Sequence, residues 1–316
     1  MSDKLLDNLL GNILKSDDMP FSDKQALTRV VEQLNNTKLN IMLVGATGVG
    51  KSSTINAIFD TEVAKVGYSV DPETSHIQKY EIGNIVLWDT PGLGDSPDND
   101  RKYAKEIIKA LREVDSQGNL LIDEVVVLID GSSRDLKTTY ETIENVIAPY
   151  IGDEKRILLA INQCDVGMKG RYWNNTTNRP EEQLVRFMDE KVLSVQKRVY
   201  ESTGINTTPM YYSALCKYNI SKLLLAMMKH VPATKRFIYA GNLNKDPEIW
   251  KANDEIADYN REIQEEVKGS LTKALDGAAK GAAAGATVGA LIPFIGAPVG
   301  AAIGATLGFL GGLFGI

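Results

Sequence analysis

Residues 39–59 read LNIMLVGATGVGKSSTINAIF, and this stretch decides the fold. Leu39 to Val44 is an apolar run of strand length, and from Ser53 onward Ile55, Ile58 and Phe59 fall at helical spacing. Between them, Gly45-Ala46-Thr47-Gly48-Val49-Gly50-Lys51-Ser52 matches GxxxxGK[ST] at every fixed position. The chemistry needs that spacing. Glycines let the backbone wrap so that consecutive N–H groups point at phosphate oxygens, and the start of the following helix adds its dipole. Lys51 is placed to reach the β- and γ-phosphates, and the Ser52 hydroxyl to ligate Mg2+. A glycine-rich turn holding a chance lysine needs neither the strand before it nor the helix after it. The stretch predicts an α/β nucleotide-binding fold.

Three more strand ends carry chemistry. Ile85 to Trp88 is apolar and ends in Asp89-Thr90-Pro91-Gly92. An acid there can hold Mg2+ through a water, and Gly92 can offer its N–H to a γ-phosphate. Arg156 to Ile161 ends in Asn162-Gln163-Cys164-Asp165. A carboxylate facing a purine's Watson–Crick edge accepts from N1–H and the 2-amino group together, a pattern that guanine offers and adenine does not. Met210 to Tyr212 leads into Ser213-Ala214-Leu215, whose backbone amides can meet the guanine O6. Each of these alone is a common cap or turn. Their order and strand-end placement make the set specific.

With these motifs in place, the chain resembles a GTPase of the translation-factor-related class, in the Era/TrmE-like group of small G domains. It is most similar to the Era-like GTPases borne on bacterial prophages. The resemblance rests on PET…Y…LWDTPGLGD, DGSSRDL, NQCDVGMKGR and YYSAL and covers about residues 38–232. It implies a P-loop NTPase G domain with a mostly parallel six-stranded sheet between helices. It also implies GTP and GDP as ligands, Mg2+ as cofactor, and hydrolysis of GTP to GDP and phosphate. Gly45 to Ser53 would then bind the phosphates, Asn162 and Asp165 would read guanine, and Gln163 would lie beside the base. Thr74, in Asp71-Pro72-Glu73-Thr74, is similar to the switch threonine that joins Mg2+ when GTP is bound. Lys51, Thr74 and Gly92 are the expected catalytic set; Ser52, Thr74 and Asp89 are the expected metal set.

Three departures from the family pattern matter. Gln163 stands where lysine is usual, which weakens stacking on the base. Leu93 stands where Ras-like enzymes place a catalytic glutamine, so intrinsic hydrolysis is expected to be slow. Gly48 replaces the asparagine of potassium-stimulated members, so no potassium activation is expected. Arg134 could supply the missing charge, although pairing with Asp135 or capping the next helix is the plainer reading. Cys164 and Cys216 flank the base motifs and read either as redox-sensitive or as inert thiols.

The composition agrees with a globular chain: 316 residues, 43% hydrophobic and 24% charged. A net charge of −6 argues against a strongly nucleic-acid-seeking surface. Two cysteines in no paired motif suit a reducing cytosol, and His76 and His230 cannot form a multi-histidine metal site. Met1 to Lys15 contains acids and lacks a continuous apolar run, so no signal peptide is expected and the protein is expected in the cytoplasm.

Helical flanks surround the G domain. The expected organisation is an N-terminal helical segment (1–37), the G domain (38–232), an amphipathic helical linker (233–276) and a glycine-rich hydrophobic hairpin (277–316). Leu5 to Leu14 and Ser22 to Leu34 each predict a helix, best read as docked on the G domain. The tail repeats glycine every fourth position from Gly277 to Gly289 and from Gly296 to Gly312. Split at Pro293 and Pro298, its two pieces would span about 33 and 27 Å, each near the thickness of a bilayer core. Such small-xxx-small ridges let helices approach closely. Three uses stay open: membrane insertion through residues 271–316 at the inner face of the membrane, self-association in the GTP state, or packing on the G domain. A ribosome-associated assembly role is implied by the family alone, since no basic GxxG loop follows residue 232, and a membrane-damaging effector triggered by the G domain is the other alternative.

Overall fold

The computed structural model describes residue 11 and residues 21–59, 65–66, 77–94, 96–251, 253–254 and 259–281. Thr74, His76, the first predicted helix apart from Gly11, and residues 282–316 lie outside the described residues.

β1 (Leu39–Gly45) is buried along its whole length. A strand covered on both faces reads as a continuous apolar run, as this one does. It pairs in parallel with β4 (Ile85–Asp89) on one side and β5 (Glu124–Asp130) on the other. With β2 (Lys65–Val66), β3 (Gln78–Ile82), β6 (Ile157–Asn162) and β9 (Met210–Tyr211), the sheet runs in the order β2-β3-β4-β1-β5-β6-β9. It has the six expected strands plus the two-residue β2 at its edge, and β2 and β3 are antiparallel to their neighbours. The short β7 (Trp173–Asn174) and β8 (Arg179–Pro180) form a separate ribbon. Because β1 sits between strands that follow it on both sides, the order in which strands are added reverses there. The crevice at such a switch point, beyond the carboxyl ends of the strands, is where ligands sit in open α/β sheets.

Alternation along β1 sends Leu39, Ile41 and Leu43 into one core and Met42 and Val44 into the other. The second core is closed by α3 (Pro97–Arg112), α4 (Lys137–Thr142) with its π-helical continuation Ile143–Ile147, and α5 (Glu182–Thr203). α3 starts cleanly: the Ser96 side chain accepts the Asn99 N–H, Pro97 follows, and Asp98 and Asp100 lie in the first turn.

The first core is closed by α1 (Phe21–Asn35), α2 (Lys51–Ile58), α6 (Ile220–His230) and α7 (Tyr259–Gly281). α1 is the helix expected from Ser22 to Leu34, and Val30, Val31 and Leu34 bury its inner face. The stretch 233–276, expected as a linker, contributes Phe237, Tyr239, Trp250, Ile263, Val267, Leu271 and Ala274 to this same core. Sequence periodicity shows that a helix has an apolar face but not what covers it. Leu271 and Ala274, counted in the membrane-directed piece, are thus buried in protein. Among the described residues, no helix is long and apolar enough to cross a membrane.

The C-terminal segment is tied to the sheet by polar contacts as well. Lys235 donates to both Asp123 oxygens at 2.8 Å, and the Tyr239 hydroxyl donates to Glu124 at 3.1 Å. Glu124 has no exposed surface. Burial pushes its carboxyl well above the ordinary value near 4.5, against the pull of the Tyr239 hydrogen bond, with Asp123 adding to the rise. The folded state then keeps a proton that the unfolded chain has released. Stability is therefore present below the ordinary glutamate value and falls as pH climbs toward the raised one. Glu124→Gln keeps an acceptor for Tyr239 and has no proton to lose. Its Tm should decline less steeply over that window than that of the wild type; Asp123, raised by burial against Lys235, still contributes a slope. Parallel Tm-against-pH curves for the two proteins would refute this.

Candidate nucleotide site

The carboxyl ends of β1, β4, β5, β6 and β9 lie along one edge of the sheet, so the loops that follow them meet there. The loop after β1 is shaped by Gly50, which holds φ +93° and leads into α2. The Lys51 ammonium lies over this loop and donates to the Gly45 and Ala46 carbonyls at 3.1 and 3.4 Å. Ser52 and Ser53 are exposed on the first turn of α2. The side chain of Val49 turns into the core.

Asn162 joins two of the loops. Its amide donates to the Val49 carbonyl at 2.9 Å, and its oxygen accepts the Ala214 N–H at 3.0 Å. It is almost fully buried, so each end is satisfied by backbone. Gln163, in a left-handed conformation, donates its amide to the Gly48 carbonyl at 2.8 Å. The residue that departs from the family lysine thus holds the phosphate loop. Ser213 is buried and accepts the Cys216 N–H, while Leu215 is 82% exposed. A second tie, Thr54 to the Tyr212 hydroxyl at 2.7 Å, links α2 to the end of β9. Sequence reasoning missed it; the only signal was a tyrosine at the end of an otherwise apolar strand.

Two carboxylates stand out. Asp165 is buried, and its Oδ1 has no hydrogen-bond partner among the described residues. Such an orphan costs about 1–3 kcal/mol unless something donates to it, and a base edge with two N–H groups would. Asp89 Oδ1 is likewise buried without a partner. Burial raises the Asp89 carboxyl, against the pull of Lys51. An oxygen-seeking cation beside Ser52 and Asp89 suits that donor set. Gly92 packs so tightly on Thr47 that a Cβ there would lie 2.8 Å from the Thr47 backbone.

Leu93 is only 5% exposed, bridges to Ala46 in the β1 extension and packs with Tyr103 and Ile107 in the second core. The position is therefore a core position in this chain. Leu93→Gln is expected to cost about 1–3 kcal/mol by burying an unpaired amide, and to leave GTP turnover no faster. Chemical denaturation and a phosphate-release assay check the two halves; accelerated turnover would overturn the second.

Beside the loop, a cavity of about 230 Å³ opens between Ala46, Thr47, Leu93, Gly94, Asp135 and Thr138. Arg134 is exposed, and the Asp135 carboxylate accepts the Lys137 N–H at 3.0 Å, just ahead of the Leu136 N-cap of α4. Burial pushes the Cys164 thiol well up, and Asp165 adds to this; burial also raises Cys216. Both thiols have the character of inert rather than reactive cysteines.

Comparison with known proteins agrees with this geometry. Residues 40–163 match the family model described as 50S ribosome-binding GTPase. The chain is 28% identical over 151 residues to the uncharacterized protein YkfA of Escherichia coli K12, covering 47% of this chain and 49% of YkfA. It is 25% identical over 261 residues to the tRNA modification GTPase MnmE of Marinomonas sp. strain MWYL1, covering 78% of this chain and 52% of MnmE. It is 23% identical over 243 residues to GTPase Der of Orientia tsutsugamushi strain Boryong, covering 76% and 48%. The chain spans about half the length of these curated relatives. The matched segment is similar to the 50S ribosome-binding GTPase family, and the chain is similar to the GTPases MnmE and Der.

Proposed function

We propose that this protein binds GTP with Mg2+ and hydrolyses it slowly, and that its nucleotide state controls membrane association or self-assembly through the C-terminal tail. The unpartnered Asp165 oxygen carries the first part, because it sits on a loop that Asn162 and Gln163 bind to the phosphate loop. In this reading Asp165 accepts from guanine, the Gly45–Ser53 backbone cradles the phosphates, and Lys51 turns from its own loop to the terminal phosphates. Ser52 and Asp89 would hold Mg2+, joined by Thr74 when GTP is bound; an ion held there would supply positive charge to offset that developing on the phosphates. Gly92 offers its N–H to the γ-phosphate. Leu93 orients no water, which makes the turnover slow.

The segment that leads toward the tail touches the helix that begins at Lys51, and in this reading it links the tail to the nucleotide. Asn244 donates its backbone N–H to Ile58 and its side chain to Asn56, at 2.9 and 2.7 Å, on the last turn of the helix that begins at Lys51. Flotation with liposomes in GTP, GDP and no nucleotide tests the proposal, using the full chain and a form ending at Gly281, past the buried part of α7. Nucleotide-dependent flotation of the full chain alone supports it. No flotation, together with no change in sedimentation between nucleotides, refutes the switch. Co-sedimentation with ribosomes instead would favour a ribosome-associated role, in keeping with the name of the matching family.

A further inference from the structure

The inner face of α5 reads Leu184, Met188, Val195 and Val199, all buried, and Lys191 stands on the same stripe. A lysine at such a place must spend its charge. Its ammonium donates to the carbonyls of Asp130, Gly131 and Ser133 at 2.8, 2.8 and 2.7 Å. Only an ammonium offers three N–H groups from one atom, so this turn is built around lysine and no other side chain. The Asp130 carboxylate closes the turn from the other side, accepting the Ser132 and Ser133 N–H groups.

The turn rests directly on the nucleotide loops. Gly131 donates its N–H to the Asn162 carbonyl at 2.7 Å, and a Cβ on Gly131 would fall 2.5 Å from that oxygen. Asn162 in turn reaches Val49 of the phosphate loop and Ala214 of the loop after β9. An unbroken set of hydrogen bonds therefore runs from α5 through the turn to both loops, and Lys191 is the side chain that brings α5 into it.

We propose that Lys191 is a positioning residue for guanine-nucleotide binding: it presses the Asp130–Ser133 turn onto Asn162, which sets the spacing of the loops that grip phosphate and base. This rests on reading the site as a GTP site. It acts on binding and not on the chemical step, because none of its contacts reaches the terminal-phosphate side where Gly92 and Asp89 lie.

The test is titration of the full-length protein with GDP and with a non-hydrolysable GTP analogue, alongside Tm and single-turnover hydrolysis at saturation. Lys191→Met keeps the stem and removes all three donors, and it is expected to weaken both nucleotides about tenfold with saturated turnover within about twofold of wild type. Lys191→Arg keeps charge and part of the donor set, and should lose only about threefold. A lowered Tm with unchanged affinity in Lys191→Met would reduce Lys191 to a structural brace and overturn the proposal. So would lost turnover at unchanged affinity. Should the methionine variant fail to fold, the arginine variant decides: wild-type affinity overturns the proposal, a partial loss upholds it. A wild-type protein that binds neither nucleotide would instead overturn the GTP reading itself.

Discussion

Replacing Asp165 with alanine is expected to lower guanine-nucleotide affinity by roughly 100- to 10,000-fold while leaving the fold intact. The carboxylate is buried on the loop after β6, with Oδ1 unpartnered among the described residues. Two hydrogen bonds to a charged acceptor contribute roughly 1.5–3 kcal/mol each, which sets that range. Fold stability should change little, because the substitution removes a buried carboxylate with one oxygen that the described residues leave unsatisfied. Asp165→Asn is more discriminating. An asparagine amide turns a donor toward the 2-amino group of guanine, two donors face each other, and affinity falls. A xanthine nucleotide presents a carbonyl at that place, so the variant should bind it better than wild type does. Calorimetry with GDP, XDP and ADP checks all three. Unaltered GDP affinity in the alanine variant would show that Asp165 does not face the base.

Gly50→Ala should be the most damaging single methyl group in the phosphate loop. The residue holds φ +93°, a conformation that costs an L side chain roughly 1–2 kcal/mol. Its Cβ would also lie 2.4 Å from the Asn162 amide nitrogen, closer than any real contact. Asn162 would have to leave, and with it the bonds to Val49 and Ala214, each buried and worth about 1–3 kcal/mol when broken. We expect a loss of about 3 kcal/mol in stability and about a 100-fold loss in affinity for GTP and GDP alike. A variant with wild-type Tm and affinity would mean that the loop relaxes freely and that the Asn162 tie is unimportant. Gly48, at φ +79° with open space around it, is the internal control: alanine there meets only the backbone cost.

The sequence alone determined which motif-bearing strand ends come together. Each motif sits at the end of an apolar run, and in a parallel sheet such ends collect on one edge. GxxxxGK[ST] also specifies its own backbone shape, because glycine spacing and the lysine that follows act within a few residues. Strand-end placement of Asp89, Asp165 and Ser213 was legible for the same reason.

The tertiary structure decided what each residue touches. Asn162 was read as a base contact, and the tertiary structure adds that its amide joins loops that lie 113 and 52 residues away in the chain. Gln163 read as a weakened stacking partner and is bonded to Gly48. Leu93 read as a missing catalytic group and is core. Lys191 could be noticed only as a charge on an apolar stripe, and residues 233–276 only as an amphipathic run. In every case the partner is set by the register of strands and by which helix covers which face. Local spacing encodes a residue's own backbone and the side of an element it occupies, but a contact between distant segments exists only once the sheet has been assembled.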